Sequence, residues 1–380
     1  MNKELRIVYI LNNSSLYGAN RSLLSFVEYL LSRQDKVLMI LPEQGDIVGE
    51  LEEKGIPYKI ITYRGCVWYP GYVGLPFLVN ILNFRKIVSA IKAFHPDIIH
   101  TNNSSHDIGI LAAKWLHIPH VWHVREIMES NYHTRYIFPH LYRYLRRTSD
   151  ATICVSEFIL NYHRQKYPNG QMYAIYNPFD VAYYSIERTE FAPNENLTIL
   201  MAGAFTEYKR QIDAVEALGI LADRGICNVV LEFAGSGSEE YTKMLLDRAR
   251  EKNVEDRVHI LGFLQDLRKV RREADVALCC SIDEALPRVL VEGMMSELLV
   301  IGSRSGGNAE LIGNYDERGL AYETCSGADL ADKIEYAMIH KAECREKIVR
   351  AKQYALDNFE KTAEGKKIAA VYEDVLKSEK

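Results

Sequence analysis

Residues 275–295 read DVALCCSIDEALPRVLVEGMM. Asp275–Cys280 is a short apolar run of strand type. Ser281–Leu286 is a loop, and Pro287 suits the first turn of a helix carrying Val289, Leu290, Val291, Met294 and Met295. Glu284 then sits in the loop at the strand's carboxyl end, and Glu292 lies about a turn and a half into the helix. Burying even a neutral polar group without a partner costs about 2–7 kcal/mol, so an ionised Glu292 in that company needs solvent or a counter-charge. Gly293 beside it weakens the helix by ~0.5–1 kcal/mol relative to alanine, which makes sense where something must approach closely.

The same strand–loop–helix pattern recurs in both directions. Leu5–Leu11, Lys36–Leu41, Asp97–His100, Pro119–His123 and Ala151–Val155 read as strands in the first half. Leu197–Gly203, Val229–Ala234, Val258–Leu261, Asp275–Cys280 and Leu299–Gly302 do so in the second. Most are near-continuous apolar runs, as expected of parallel strands covered on both faces. Amphipathic helices such as Arg21–Leu31, Arg210–Ala222 and Glu239–Glu251 lie between them. The fold class is therefore α/β, with two doubly wound, Rossmann-like domains. The expected boundaries are 1–180 and 190–360, joined through Phe179–Asn196, where Tyr176-Asn177-Pro178 closes a strand. A C-terminal helix within 361–380 is expected to pack back toward the first domain.

Composition narrows the classes. The 380 residues exceed one ordinary core, and 48% hydrophobic with 26% charged residues are globular values. A net charge of −5 leaves no nucleic-acid footprint. Residues 1–180 carry 19 Lys+Arg against 15 Asp+Glu, and the remainder 27 against 36, so two domains with different partners are expected. Seven scattered cysteines and no signal-like segment at Met1–Tyr9 read as reduced cytosolic thiols. Gly65–Phe84 has no charged residue, but Pro70, Pro76 and three glycines make it a poor membrane span. It reads as an exposed aromatic loop (Trp68, Tyr69, Tyr72) leading into a helix from about Pro76.

The carboxyl ends of strands in such sheets are where ligands bind. Glu284 and Glu292 flanking a helix entry there suit a polyhydroxy ligand bearing phosphate. In a second cluster, Gly203-Ala204-Phe-Thr-Glu-Tyr-Lys209-Arg210, two cations precede a helix whose dipole they oppose, which an anion bound at that end would repay. Gly306-Gly307-Asn308-Ala309-Glu310 is a third loop-to-helix entry. Other signals fail. In Gly235-Ser-Gly237-Ser-Glu-Glu240 a glutamate stands where a dinucleotide fingerprint needs glycine. His120 and His123 point to opposite faces of one strand, so no shared metal is expected. No Asp-x-Asp occurs to cradle a metal-bound diphosphate.

Taken together, these residues resemble the retaining, GT-B-fold glycosyltransferases of family 4 (glycosyl transferases group 1), in which two such domains face each other across a cleft. Glu284 and Glu292 are similar to the family's E-x7-E pair. Leu16-Tyr17-Gly18-Ala19-Asn20-Arg21 resembles its glycine loop on the acceptor side. Asp97-Ile-Ile-His100-Thr-Asn, Val121-Trp-His123-Val-Arg125-Glu126, Cys154-Val-Ser156-Glu157 and Tyr176-Asn177-Pro178 also look family-like. The resemblance implies a nucleotide-diphosphate sugar held mainly by the second domain, and an acceptor at the first near Gly18, Asn20 and Arg21. Glu292 would hold ribose hydroxyls, Glu284 the donor sugar, Lys209 the pyrophosphate, and the backbone near Phe263-Leu264 the base, with Gly203, Gly307 and Glu310 completing the donor site. No cofactor and no metal are implied. Two departures matter. Ala204 and Arg210 stand where the family has arginine and glycine, so Arg288 or Arg210 is expected to supply the second positive charge. Either His123 or Arg125 is expected to face the donor sugar.

The segment Arg135–Arg147 mixes basic and aromatic residues, the chemistry of an interface with anionic lipid. The expectation is a cytoplasmic transferase, peripheral on the inner face of the membrane, that builds a surface polysaccharide or glycolipid on a saccharide or lipid-linked acceptor. The alternatives are a GT-B-fold sugar-nucleotide epimerase and a non-catalytic sugar-nucleotide binder.

Overall fold

The apolar runs pair, side by side and all parallel, into two separate sheets. The computed structural model describes residues 4–16, 18–68, 76–128, 134–168, 170–192 and 194–378, so Tyr17, Tyr69 and Tyr72 lie outside the described residues. The chain divides into two compact units, Met1–Phe179 with Phe359–Lys380, and Asp180–Asn358.

Unit 1 runs β1 (Arg6–Leu11), α1 (Gly18–Ser32), β2 (Lys36–Leu41), α2 (Ile47–Glu53), β3 (Tyr58–Ile60), β4 (Val67–Trp68), α3 (Pro76–Phe94), β5 (Ile98–Asn102), α4 (Ile108–Leu116), β6 (His120–Val124), β7 (Arg135–Tyr136), α5 (Pro139–Arg147), β8 (Ala151–Cys154), α6 (Glu157–Lys166) and β9 (Met172–Ala174). Seven strands form one sheet in the order β3-β2-β1-β5-β6-β8-β9. Alternation along β1 explains its unbroken hydrophobicity. Ile7, Tyr9 and Leu11 enter a core with α1, while Val8 and Ile10 enter another with Ile87 and Ile91 of α3.

Unit 2 runs α7 (Val181–Tyr184), β10 (Leu197–Ala202), α8 (Gln211–Asp223), β11 (Val229–Ala234), α9 (Glu239–Glu251), β12 (Val258–Gly262), α10 (Arg268–Glu273), β13 (Val276–Cys279), α11 (Arg288–Met295), β14 (Leu299–Ser303), α12 (Gly306–Ile312), β15 (Leu320–Tyr322), α13 (Gly327–Ile339) and α14 (Lys341–Phe359). Its six strands lie in the order β12-β11-β10-β13-β14-β15. In each sheet the order reverses beside the first strand, between β1 and β5 and between β10 and β13, the position where a doubly wound sheet opens a crevice at its carboxyl edge.

The last helix, α15 (Lys361–Ser378), belongs to unit 1. Ile368, Tyr372 and Val375 join the β1 core, and the Tyr372 hydroxyl lies 2.6 Å from that of Tyr9 and 2.8 Å from His100 Nδ1. Gly365 permits the close approach of α15 to α1, because a Cβ there would fall inside the Tyr29 ring.

Five strands were not foreseen: β3, β4, β7, β9 and β15, of two or three residues each, too short to show a period. Trp68 is half-buried in β4, paired with Arg135 of β7, rather than in an exposed loop. Tyr176-Asn177-Pro178 does not close a strand, since β9 ends at Ala174. The helix after that segment starts at Pro76, and no helix among the described residues is long and apolar enough to cross a membrane.

Candidate active site

Both sides of the unit 2 crevice carry one charged side chain toward it. After β10 the chain passes Gly203 and makes one tight turn, Glu207–Lys209, before Arg210 adopts a left-handed conformation (φ 53°) and α8 begins. After β13 it passes Ser281 and turns at Asp283 (φ 49°), a residue type that tolerates the left-handed region. Lys209 Nζ and Glu284 Oε2 meet across the gap at 2.8 Å, each side chain about a quarter exposed or less (27% and 19%). Burial pulls the Lys209 ammonium down, but Glu284 more than offsets it, and the group stays above its ordinary pKa.

The Glu284 loop is built by the next one. Gly307 donates its N–H to the Glu284 carbonyl (2.6 Å), and a Cβ on Gly307 would stand 2.7 Å from the Ala285 carbonyl oxygen. Asp283 N–H donates to Ser305 Oγ (3.0 Å), while Asn308 Nδ2 donates to the Ser281 carbonyl (3.2 Å) and Ser303 Oγ (2.9 Å). The Gly306-Gly307-Asn308 stretch thus shapes the backbone that aims Glu284. Glu310 lies half-buried on α12, where its backbone carbonyl accepts from Arg318 Nη2 (2.9 Å).

Glu292 is 8% exposed and has the counter-charge its setting demands. The buried Arg271 guanidinium donates to one oxygen and Arg288 lies 3.5 Å from the other. Arg271 also stands 5.1 Å over the Tyr184 ring, and Arg288 Nη2 donates to the Tyr184 hydroxyl (3.4 Å). Arg271 and Tyr184 had escaped sequence reasoning. Arg271 lies in the run Arg268-Lys-Val-Arg-Arg-Glu273, which reads as a solvated basic stretch until α10 packs. Gly293 does admit a close approach, but the group that approaches is the Ala277 side chain of β13, not a ligand.

Arg210 is committed elsewhere. It makes two bonds to Asp213 (2.6 and 2.8 Å), whose Oδ2 also accepts from the Tyr322 hydroxyl (3.3 Å). Phe263, just past β12, is 68% exposed, with Leu264 half-buried beside it. The glycines of the failed dinucleotide motif serve loop packing. A Cβ on Gly235 would overlap the Gly203 carbonyl oxygen, and Gly237 bridges to Phe205. Gly235→Ala is accordingly expected to destabilise unit 2 by ~1–3 kcal/mol or more, read as a lower urea midpoint.

Unit 1 gathers a second cluster at its own order reversal. Arg125, just beyond β6 and 7% exposed, donates to Asn102 Oδ1 and Asn177 Oδ1 (2.6 Å each). Asn102 Nδ2 in turn donates to Asn20 Oδ1 (3.3 Å), and Asn20 Nδ2 to the Ser15 carbonyl (2.8 Å). Asn102 and Asn177, from two separate family-like motifs, therefore converge on the Arg125 guanidinium. Gly18 opens α1, and Arg21 is exposed on it. His123 is fully buried, 5.3 Å from His100 and 5.9 Å from Phe26, with Nδ1 3.4 Å from Arg125 Nη2. His120 lies on the other side of the strand, bonded to Thr101 Oγ1 (2.7 Å).

Comparison with known proteins divides the chain at nearly the same point as the two units. Residues 17–183 match the family described as Glycosyltransferase Family 4, and residues 185–355 match Glycosyl transferases group 1. The chain belongs to the family 4 glycosyltransferases. Among curated relatives, N-acetyl-alpha-D-glucosaminyl L-malate synthase of Bacillus anthracis is 26% identical over 63% of this chain, which spans 64% of that relative's length. The N,N'-diacetylbacillosaminyl-diphospho-undecaprenol alpha-1,3-N-acetylgalactosaminyltransferase of Campylobacter jejuni is 25% identical over 81% of this chain and 83% of its own. Among solved structures, Anabaena Alr3699/HepE in complex with UDP aligns with a TM-score of 0.83 at 19% identity, covering 97% of this chain and all of that one. That likeness establishes the GT-B fold of this family 4 glycosyltransferase.

Proposed function

We propose that this glycosyltransferase moves a sugar from a nucleoside-diphosphate sugar, held by unit 2, to a saccharide or lipid-linked acceptor in surface polysaccharide or glycolipid assembly. The observation that carries this reading is the Lys209–Glu284 pair at the order reversal of unit 2 (2.8 Å), with the buried Glu292 on the following helix α11 held by Arg288 of α11 and Arg271 of α10. A sugar diphosphate entering there exchanges the pair's mutual attraction for its own groups. Lys209 turns to the diphosphate, and Glu284 accepts hydrogen bonds from sugar hydroxyls. Glu292, oriented by Arg271, accepts from the ribose, and the exposed Phe263 ring lines the base. Binding of UDP and UDP-glucose by the Anabaena relative supports this class of donor.

In this mechanism the anomeric configuration is retained. The departing phosphate takes the acceptor's proton on the face it leaves, so neither glutamate acts as a nucleophile. Charge developing on the diphosphate is the main barrier term that preorganised cations lower. Lys209 supplies one, and Arg288 the second, because Arg210 is spent on Asp213. No metal is required. In unit 1 the Asn20–Asn102–Arg125–Asn177 network offers amide groups suited to acceptor hydroxyls, beside Gly18 and Arg21, and His123 acts through Arg125 as a positioning residue. The undecaprenol-linked acceptors in the names of three relatives support a lipid-linked acceptor here, with the protein peripheral on the cytoplasmic face of a membrane.

Incubating the full chain with a panel of nucleotide sugars, with and without EDTA, tests the reading. One donor should be consumed, slowly without acceptor, at a rate EDTA leaves unchanged, and the product should keep the donor's anomeric configuration by NMR. Conversion of the donor to an epimer, or binding without consumption, would replace transfer by one of the alternatives. Arg288→Ala is expected to lower kcat about 10²-fold with the far-UV spectrum unchanged; unaltered kinetics would take the second cation away from Arg288.

A further inference from the structure

Unit 1 carries exposed apolar side chains that its hydrophobic clusters do not take in. On α3 and α4, Ile81, Leu82 and Trp115 are 65%, 77% and 69% exposed. On α5 and just before it, Tyr144 and Phe138 are 59% and 48% exposed. A groove of about 660 Å³ runs between them, floored by Phe77, Phe84, Ile108 and Leu111. Ring contacts tie the three helices into one surface: Phe77 to Phe138 at 5.6 Å, and Phe84 to Trp115 at 6.0 Å. A contiguous apolar area of this kind on the surface of a folded unit marks an interaction site.

The charge around it is one-sided. Helices α3, α4 and α5 contain no aspartate or glutamate, while Arg85, Lys86, Lys114, Arg143 and Arg147 on them are exposed. Asp107, the one carboxyl lining the groove, is buried. Arg135, next to this region on β7, is also exposed. A second copy of the chain would bring two such cationic faces together, which like charges oppose. An anionic bilayer matches both halves of the pattern, phosphates for the cations and acyl chains for the aliphatic and aromatic side chains.

We propose that the α3–α4–α5 face docks the protein on an anionic lipid surface, with Ile81, Leu82 and Trp115 entering the acyl boundary and the surrounding cations among the headgroups. This deepens the reading that the acceptor is lipid-linked, and it rests on that reading for its purpose only, since binding needs no turnover. Each cation near such a surface contributes about a factor of five in partitioning, so the full chain should bind phosphatidylcholine vesicles carrying phosphatidylglycerol at least about 100-fold more tightly than phosphatidylcholine alone at low salt. Vesicles of brominated phosphatidylglycerol should quench the Trp115 component of the fluorescence, and Trp115→Phe should remove that quench. Leu82→Ser and the pair Arg143→Glu with Arg147→Glu should each weaken binding about tenfold or more, with unchanged melting temperature.

Absence of binding to the anionic vesicles at low salt would overturn the proposal. So would binding that these variants leave intact, or concentration-dependent self-association that Leu82→Ser abolishes. Donor consumption measured on the same variants without lipid separates the two readings. A protein that binds vesicles but never transfers sugar sinks the proposed function alone, and one that transfers sugar but ignores vesicles sinks only the docking face.

Discussion

Lys209→Ala is expected to lower kcat/KM for the donor by about 10²–10³-fold while leaving the protein folded. The ammonium is held above its ordinary pKa by Glu284, so it is fully charged throughout the working range and ready to face the leaving diphosphate. Its ion pair is partly exposed, and pairs of that kind are worth at most about 1 kcal/mol, so stability should change little. The loss should fall chiefly on kcat, because the charge that the lysine meets grows as the bond to the anomeric carbon breaks. Glu284→Gln makes the complementary case. It frees the lysine yet removes an acceptor for sugar hydroxyls, so donor KM should rise together with a fall in kcat. Steady-state kinetics on purified variants checks both. Wild-type kcat/KM in Lys209→Ala would place the diphosphate elsewhere.

The second large effect is acid unfolding that begins in unit 1. Burial drives the imidazoles of His100, His106, His120, His123 and His163 below their ordinary range, His106 down to about 3, so all five are neutral in the folded state. Among the described residues, His106 has both ring nitrogens, and His100 and His123 one each, buried without a hydrogen-bond partner. The unfolded chain protonates these histidines near pH 6.5 and the folded one does not. The unfolded state therefore binds more protons below that point, and stability falls as pH drops. The loss is between ~1 and ~1.5 kcal/mol per histidine at pH 5.5, about 7 kcal/mol for the set, comparable to the whole stability of many domains. Asp107, pushed up to about 6 by burial, works the other way, as do Asp35 and Glu364, also raised chiefly by burial. Asp107 returns under ~1 kcal/mol by pH 5.5. The histidines of unit 2, His259 and His340, are exposed. Hydrogen exchange followed by mass spectrometry between pH 7.5 and 5 should show unit 1 peptides losing protection first. Loss of protection in both units together, or none in unit 1, would contradict the account.

How far the residues disclosed all this depends on length and on partners. Runs such as Leu197–Ala202 and Arg6–Leu11 are long and unbroken because both faces of each strand are covered, and that pattern is readable in one dimension. Edge strands of three residues such as Leu320–Tyr322 are set by the neighbour they add to, and leave no local period. The Glu284, Glu292 and Lys209 positions could be read from strand-end logic alone. Arg271 could not, since nothing in a basic run says which arginine turns inward. Arg210 was read as a ligand cation because its place before a helix opposes the dipole; the true counter-charge, Asp213, lies three residues on, within the first turn. Gly307, which the resemblance assigns to the donor site, and Gly306 beside it receive the backbone of the Glu284 loop.

The membership of α15 in unit 1 governs the order in which the molecule can be completed on the ribosome. The sheet from Arg6 to Ala174 emerges first, but the helix that covers the Tyr9 side of its core follows the whole of Asp180–Asn358. At about 5–20 residues per second that interval is roughly 10–40 s, during which Tyr9 and His100 lack the Tyr372 contact they have in the finished fold. The nascent first unit is therefore a natural client for chaperones, and a variant lacking Lys361–Ser378 should yield an insoluble product although every crevice residue is still encoded.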